Sequence, residues 1–177
     1  LTAAKDVDGI SLASLAAVFT DAPDGFPPCT AAACVAILEH YKVPIAGKHV
    51  VVIGRSLVVG KPVSMMLLRR NASVTICHSR TENLQEISRS ADIVICATGR
   101  ARAYGREYFR PGQTVLDVGI NFDVHGKLCG DVDFDEVEPI VDAITPVPGG
   151  VGTVTTSMTM QHTVAAAEAQ LKESLKG

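Results

Sequence analysis

The stretch "VVIGRSLVVGKPVSMML", Val51 to Leu67, runs from an apolar strand pattern through a glycine-bounded loop into an amphipathic helical pattern. Parallel α/β proteins use this order to present a loop and a helix N-terminus to a phosphate group. A nicotinamide-binding fingerprint reads G-x-G-x-x-G, whereas the loop here reads G-R-S-x-x-x-G from Gly54 to Gly60. Arg55 and Ser56 therefore stand where backbone alone is expected, and their side chains could bind a ligand.

Further apolar runs alternate with helical patterns after this stretch. The strand candidates are rich in Val and Ile and nearly free of charge: "HVVVIG" (49–54), "SVTICH" (73–78), "DIVICATG" (92–99), "TVLDVGI" (114–120) and the short "ITPVP" (144–148). Strands that alternate with helices predict an α/β fold with a doubly wound parallel sheet. Helical patterns at 11–19, 31–41 and from Thr153 to Leu175 predict flanking helices at both termini. Thr30 and Thr81 are candidate helix starts.

Composition narrows the class of partner. The chain has 177 residues, 47% of them hydrophobic, and a net charge of −3. It has no Trp and no run of like charges, so we expect no nucleic-acid partner. No apolar segment approaches the roughly 20 residues that span a bilayer, so we expect no membrane partner and a cytoplasmic protein. The five scattered cysteines are expected to be buried, reduced thiols, and no metal site is predicted.

The end of the second predicted strand distinguishes between two dinucleotides. It falls at His78, 24 residues after Gly54, where an NAD enzyme places an acidic residue against the ribose hydroxyl. This chain has Ser79 and Arg80 instead. A hydroxyl and a guanidinium can bind a ribose phosphate that a carboxylate would repel. With Arg55 on the adjoining loop, the sequence predicts NADP as the cofactor.

Seven motifs occur in order along the chain: "KDVDG", "PPCT", "VVIGRSxxVGKP", "HSRT", "DVGIN", "GDVDF" and "ITPVPGGVG". Together they resemble the bifunctional methylenetetrahydrofolate dehydrogenase/cyclohydrolase family, bacterial type. The resemblance corresponds to the later part of such enzymes, whose earlier domain holds the catalytic Lys in a Tyr-x-x-x-Lys motif. Since the sequence begins at Leu1 without Met, we expect a fragment. The expected parts are a linker with helices (1–47), a Rossmann-type NADP-binding domain (48–152) and a C-terminal helix (153–177) that packs on the earlier domain.

The resemblance implies NADP-dependent oxidation of methylenetetrahydrofolate to methenyltetrahydrofolate, then hydrolysis to formyltetrahydrofolate. It implies tetrahydrofolate derivatives as partners, a homodimer, and no catalytic residue in this part of the chain. The implied NADP contacts are Gly54, Arg55, Ser56, Ser79, Arg80 and Ile120. The implied folate contacts are Asp8, Pro148, Gly149, Gly150, Val151 and Gly152. The family commonly continues the glycine run with Pro-Met-Thr, whereas this chain continues with Thr153-Val154-Thr155.

Structural alternatives exist for several of these residues. Asp6 or Asp8 could cap the following helix, and Cys29-Thr30 could be only a helix cap. Side chains that could serve only the fold are Asp92, Asp117 and all five histidines, His40, His49, His78, His125 and His162. Alternative functions are a non-catalytic NADP-binding module and another NADP-dependent dehydrogenase of the same fold, such as a shikimate-type enzyme.

Overall fold

The computed structural model describes residues 2–23 and 25–175. The α-helices are α1 (Leu12–Thr20), α2 (Cys29–His40), α3 (Gly60–Leu68), α4 (Leu84–Ser90), α5 (Phe134–Val137) and α6 (Val151–Ser174). The strands are β1 (His49–Ile53), β2 (Ser73–Cys77), β3 (Ile93–Cys96), β4 (Thr114–Asp117), β5 (Asn121–Phe122), β6 (Leu128–Cys129) and β7 (Ala143–Ile144). Two 3-10 turns lie at Ala3–Lys5 and Arg106–Tyr108.

Five strands form one parallel sheet in the order β2-β1-β3-β4-β7. The chain moves outward from β1 to β2 and then returns to the other side of β1 for β3. Ile53, the last residue of β1, lies between Cys77 of β2 and Cys96 of β3. The prediction of a doubly wound parallel sheet with helices at both ends is confirmed. In this topology, ligands bind beyond the carboxyl ends of the strands where the strand order reverses.

Two apolar layers cover the sheet because successive strand residues point to opposite faces. On one face, Val50 and Val52 pack with α2, α3 and the first part of α6. On the other face, Val51 and Ile53 pack with the segments around Tyr104, Phe109 and Val137. All four β1 valine and isoleucine side chains are essentially inaccessible to solvent. Burial on both faces explains why the strands read as continuous apolar runs.

Three predicted boundaries are wrong. The last strand ends at Ile144, because Pro146 and Pro148 have no N–H to extend the ladder. Helix α2 begins at Cys29 after Pro28, so Thr30 lies inside it, and no Cys29 or Thr30 side chain caps it. Thr81 does not cap α4, since its hydroxyl oxygen accepts the His78 N–H at 2.8 Å and closes the turn after β2.

Helix α6 begins at Val151, inside the glycine-rich run and two residues before the predicted start. Its first half packs on α2 within this chain, with Val151, Val154 and Met158 in the shared core. Further along, Met160, Val164 and Leu171 are exposed. From Met160 onward, buried side chains such as His162 and Ala166 therefore alternate with apolar side chains that face solvent.

The cysteines Cys29, Cys34, Cys77, Cys96 and Cys129 are all free and buried, as predicted. Burial raises the pKa of the Cys34 thiol to about 12, so this thiol stays protonated at neutral pH. Within residues 2–23 and 25–175, no helix is long and apolar enough to cross a membrane. The same residues contain no cluster of three or more His, Cys, Asp or Glu side chains that could hold a metal ion.

Candidate functional site

Backbone contacts explain why glycine stands at both ends of the loop from Gly54 to Gly60. Gly54 has φ +134°, and a side chain there would collide with the backbone of Ala97, which follows β3. A side chain at Gly60 would collide with the carbonyl group of Gly54. The glycines thus stand where backbone passes backbone. Arg55 and Ser56 lie between these contacts and are exposed, so side chains fit where the common fingerprint has its central glycine.

The loop leads directly into the N-terminus of α3. The Ser56 hydroxyl oxygen accepts the N–H of Val59 at 3.1 Å and of Gly60 at 3.4 Å. The N–H groups of the first turn of α3 are bonded within the loop, since the Lys61 N–H also donates to the Ser56 carbonyl oxygen at 3.0 Å, but the positive end of the helix dipole favours an anion here. The guanidinium of Arg55 adds a full positive charge on the same loop. This edge of the sheet can therefore bind phosphate.

The turn after β2 presents Ser79 to the same edge. The His78 ring accepts the Arg80 N–H at its Nδ1 atom at 3.1 Å, and the His78 N–H is bound by Thr81. His78 thereby holds the Ser79-Arg80 turn, which supports the structural alternative for this histidine. Ser79 faces the groove, whereas Arg80 is exposed beside it and does not line it.

A groove of about 520 Å³ joins the loop, the turn and the segment after β3. Its lining residues are Gly54, Arg55, Ser56, His78, Ser79, Thr81, Leu84, Ala97, Thr98, Arg100, Ala103, Tyr104 and Tyr108. None of these lining residues is acidic, and two are arginines. The structure thus brings together four of the six predicted NADP contacts, and Arg100 is a lining residue that the sequence did not reveal.

Asp131 holds the wall of this groove in place. It is fully buried, and its Oδ2 atom accepts the Thr98 N–H at 2.5 Å and the Thr98 hydroxyl at 2.9 Å. The N–H groups of Gly99 and Arg100 and the amide of Asn121 also donate to its carboxylate, at 2.8 to 3.1 Å. Sequence reasoning missed Asp131 although it lies in the "GDVDF" motif, because its partners are 10 to 33 residues away.

Asp117 at the end of β4 has a structural task, as its alternative proposed. Its carboxylate accepts the N–H groups of Gly119, Asp131 and Val132 at 2.9 to 3.1 Å. Burial is the largest effect on the pKa of Asp117 and raises it to about 6, against the N–H donors that lower it. A side chain at Gly130 would collide with this carboxylate. Asp92 is similarly structural, since it accepts the His49 N–H at 3.0 Å.

Ile120 and the glycine-rich run line a second cavity of about 170 Å³. This cavity includes Pro148 to Gly152, so the five predicted folate contacts of this run lie together with Ile120 rather than in the groove of Gly54. Ile120 is 65% exposed. Thr153, where the chain departs from the family pattern, donates its hydroxyl to the Gly150 carbonyl oxygen at 2.7 Å. Thr153 is therefore compatible with the first turn of α6, although the family commonly has Pro at this position.

The two carboxylates of "KDVDG" have different surroundings. Asp6 is 2% exposed and accepts the N–H groups of Ile10 at 3.2 Å and Ser11 at 2.6 Å, and the Ser14 hydroxyl at 2.8 Å. Asp6 thus secures the start of α1, as its structural alternative proposed. Asp8 is exposed and makes none of these bonds, so the capping alternative does not apply to it. Asp8 lies beside the Cys29 thiol, whose pKa is raised mainly by burial, lowered by a hydrogen bond with Thr159 and raised by the nearby Asp8 charge.

A doubly wound parallel sheet with a glycine-bounded loop and a helix N-terminus at its carboxyl edge defines a dinucleotide-binding domain. Residues 28–171 match the family model described as tetrahydrofolate dehydrogenase/cyclohydrolase, NAD(P)-binding domain. The chain belongs to this family. It is 60% identical over 166 residues to the bifunctional protein FolD of Carboxydothermus hydrogenoformans, covering 93% of this chain and 58% of that protein. It is 54% identical to FolD 1 of Desulfitobacterium hafniense, over 96% of this chain and 60% of that protein.

Solved structures agree with this assignment. The bifunctional FolD enzyme of Campylobacter jejuni superposes with a TM-score of 0.92 at 39% identity, covering 96% of this chain and 60% of that chain. A Trypanosoma brucei FolD, solved with NADP cofactor and inhibitor, superposes with a TM-score of 0.89 at 36% identity, covering 97% of this chain and 61% of that chain. A shikimate dehydrogenase of Thermus thermophilus, at 17% identity and a TM-score of 0.53, shares only the fold. The chain thus spans about 60% of the length of these family members.

Proposed function

We propose that this chain binds NADP in the groove beside Gly54, and that the whole protein oxidises methylenetetrahydrofolate and hydrolyses the methenyl product. The observation that supports NADP over NAD most directly is the end of β2, where Ser79 faces the groove and no lining residue is acidic. The exposed guanidinium of Arg55 on the same loop is proposed to pair with a ribose phosphate.

Each part of the carboxyl edge has a proposed task. The α3 N-terminus, with the Ser56 hydroxyl, binds the pyrophosphate. Ile120, which lines the second cavity, contacts the cofactor near its nicotinamide ribose. The 148–152 run in the same cavity accepts the folate, since its glycines let backbone approach a planar ring. Asp8 accepts hydrogen bonds from the amino-pyrimidine edge of the pterin. When bound, NADP supplies the hydride acceptor, and the protein supplies orientation and exclusion of water.

The test compares NADP and NAD binding to the chain by calorimetry before and after Arg55→Ala. Losing a charge-assisted bond should weaken NADP binding by about 1.5 to 3 kcal/mol and leave NAD binding much less affected. Arg69→Ala is the matched control, because it removes the same charge from the far end of α3, where Arg69 lies 3.7 Å from Asp21. Equal losses for both dinucleotides would contradict the assignment.

We also propose that the protein is a cytoplasmic homodimer, as its resemblance to the family implies. Light scattering on the purified chain measures the oligomeric state directly. A monomer at micromolar concentration would remove the dimer from the proposal without affecting the NADP assignment.

A further inference from the structure

Two side chains from different helices converge on one backbone carbonyl group. The Nδ1 atom of His162, on α6, lies 2.9 Å from the Val7 carbonyl oxygen. The Cys29 thiol, at the first residue of α2, donates to the same oxygen at 3.2 Å. The two donor atoms are 3.4 Å apart. His162 is only 8% exposed, although its neighbours Met160 and Val164 on α6 are exposed.

The Val7 carbonyl group determines which tautomer the neutral His162 ring adopts. A carbonyl oxygen can only accept, so the hydrogen of the neutral ring resides on Nδ1. The ring also stacks on Phe26, with centroids 4.8 Å apart and planes inclined by 29°. His162 is thereby held by one directional bond and one apolar contact, which together orient it toward the "KDVDG" segment.

The Val7 carbonyl group belongs to the peptide unit that joins Val7 to Asp8. On the amino-terminal side of this unit, Asp6 is fixed by three hydrogen bonds from residues 10–14. On the other side, Gly9 has φ +68°, and a side chain there would collide with the backbone of Phe26 and Pro27. The backbone around Asp8 is therefore constrained before, at and after this residue, while the Asp8 side chain remains exposed.

We propose that His162 is a positioning residue for Asp8, acting through the Val7 carbonyl group together with Cys29. This inference rests on the proposed role of Asp8 in binding the pterin. A carboxylate that recognises two adjacent N–H donors must be oriented in advance, because ordering it on binding would cost affinity. His162 thus ties the middle of α6, the helix that begins in the glycine-rich run, to the segment that carries Asp8.

Two substitutions separate the hydrogen bond from the packing. His162→Asn places an amide nitrogen at the position of Nδ1 and keeps the donor. His162→Phe keeps the ring that stacks on Phe26 and removes the donor. A second pair, Cys29→Ser and Cys29→Ala, keeps and removes the other donor. Affinity for NADP and thermal unfolding report whether each variant is folded.

The first measurement is tetrahydrofolate binding to the NADP-loaded chain together with the unmatched amino-terminal part of the Carboxydothermus relative, which completes the proposed folate site. His162→Phe should weaken it about tenfold, the effect of one lost hydrogen bond, and His162→Asn should restore most of it. The second measurement is NMR relaxation and hydrogen exchange of the Asp8 and Gly9 amides. These amides should become more mobile in the donor-removing variants His162→Phe and Cys29→Ala, but not in His162→Asn or Cys29→Ser.

The outcomes are distinguishable. If Asp8→Ala leaves tetrahydrofolate affinity unchanged, the proposed role of Asp8 fails. If Asp8→Ala weakens binding but His162→Phe does not, the positioning role fails. Unchanged amide mobility in His162→Phe overturns the positioning role whatever the affinity for tetrahydrofolate.

Discussion

Asp6 is a buried carboxylate that should contribute to the loss of stability in acid. Burial alone would raise the pKa of Asp6, but hydrogen bonds from Ser11, Ser14 and Ile10 outweigh it and lower the pKa to about 2. In the unfolded chain this carboxyl group titrates near 3.8. The folded state therefore gains stability above pH 4 that is lost as the pH falls toward 2.

We expect the free energy of unfolding of the native chain, relative to Asp6→Asn, to fall by about 2 kcal/mol between pH 5 and pH 2. Taking the difference removes contributions from other groups, such as Asp117, whose pKa is shifted in the opposite direction. Urea unfolding at several pH values measures it. Asp8→Asn is the matched control and should hardly change stability at pH 7, since Asp8 is exposed. A difference that stays constant over this pH range would mean that Asp6 titrates as it does in the unfolded chain.

At the scale of elements, the parallel strands and helices were predictable and their junctions were not. The runs around Val50 and Ile93 are apolar because both faces are buried, so composition alone revealed them. By contrast, Thr81 has a cap-forming side chain that instead binds the His78 N–H. The partners of Asp131 are distant in sequence, and no local pattern indicates them. The site was therefore predictable where a motif is local, and not where a buried carboxylate links separate loops.

Asp131→Ala tests this linkage. Removing a buried acceptor of five hydrogen bonds leaves several donors unsatisfied, so we expect a loss of at least about 3 kcal/mol in the free energy of unfolding. NADP affinity should also fall, because Thr98 and Arg100 line the groove.

The control for this variant is Asp135→Ala, which removes a carboxylate that is 80% exposed and pairs with Arg102 at 3.3 Å. It should change stability by less than about 1 kcal/mol. Denaturant unfolding and NADP titration give both quantities. Full NADP affinity in a folded Asp131→Ala variant would show that the wall of the groove does not contribute to binding.

At the scale of the whole molecule, the carboxyl edge of the sheet divides the proposed site into two neighbouring parts. The groove of Gly54 and Ser79 is formed entirely by the described residues. The cavity beside Ile120 is smaller and is bounded by the segment 117–120, Leu128, the loop 146–150 and the start of α6. The proposed NADP contacts Gly54, Ser56 and Ser79 thus line one groove within this chain, whereas Asp8 does not line the cavity of the 148–152 run, so the proposed folate contacts do not form one enclosed site.

We therefore expect the 177-residue chain, expressed by itself, to bind NADP but to form NADPH from methylenetetrahydrofolate at no useful rate. Holding two reactants in position can contribute roughly 7 to 11 kcal/mol to catalysis. By resemblance, the Lys that supports both reactions lies in a Tyr-x-x-x-Lys motif, which does not occur in these 177 residues. Absorbance at the NADPH band measures turnover for the chain alone and with the unmatched amino-terminal part of the Carboxydothermus relative added. Activity only after addition fits the proposal; substantial activity without it would mean that a residue assigned to the fold, such as His78 or Asp117, acts on the substrate.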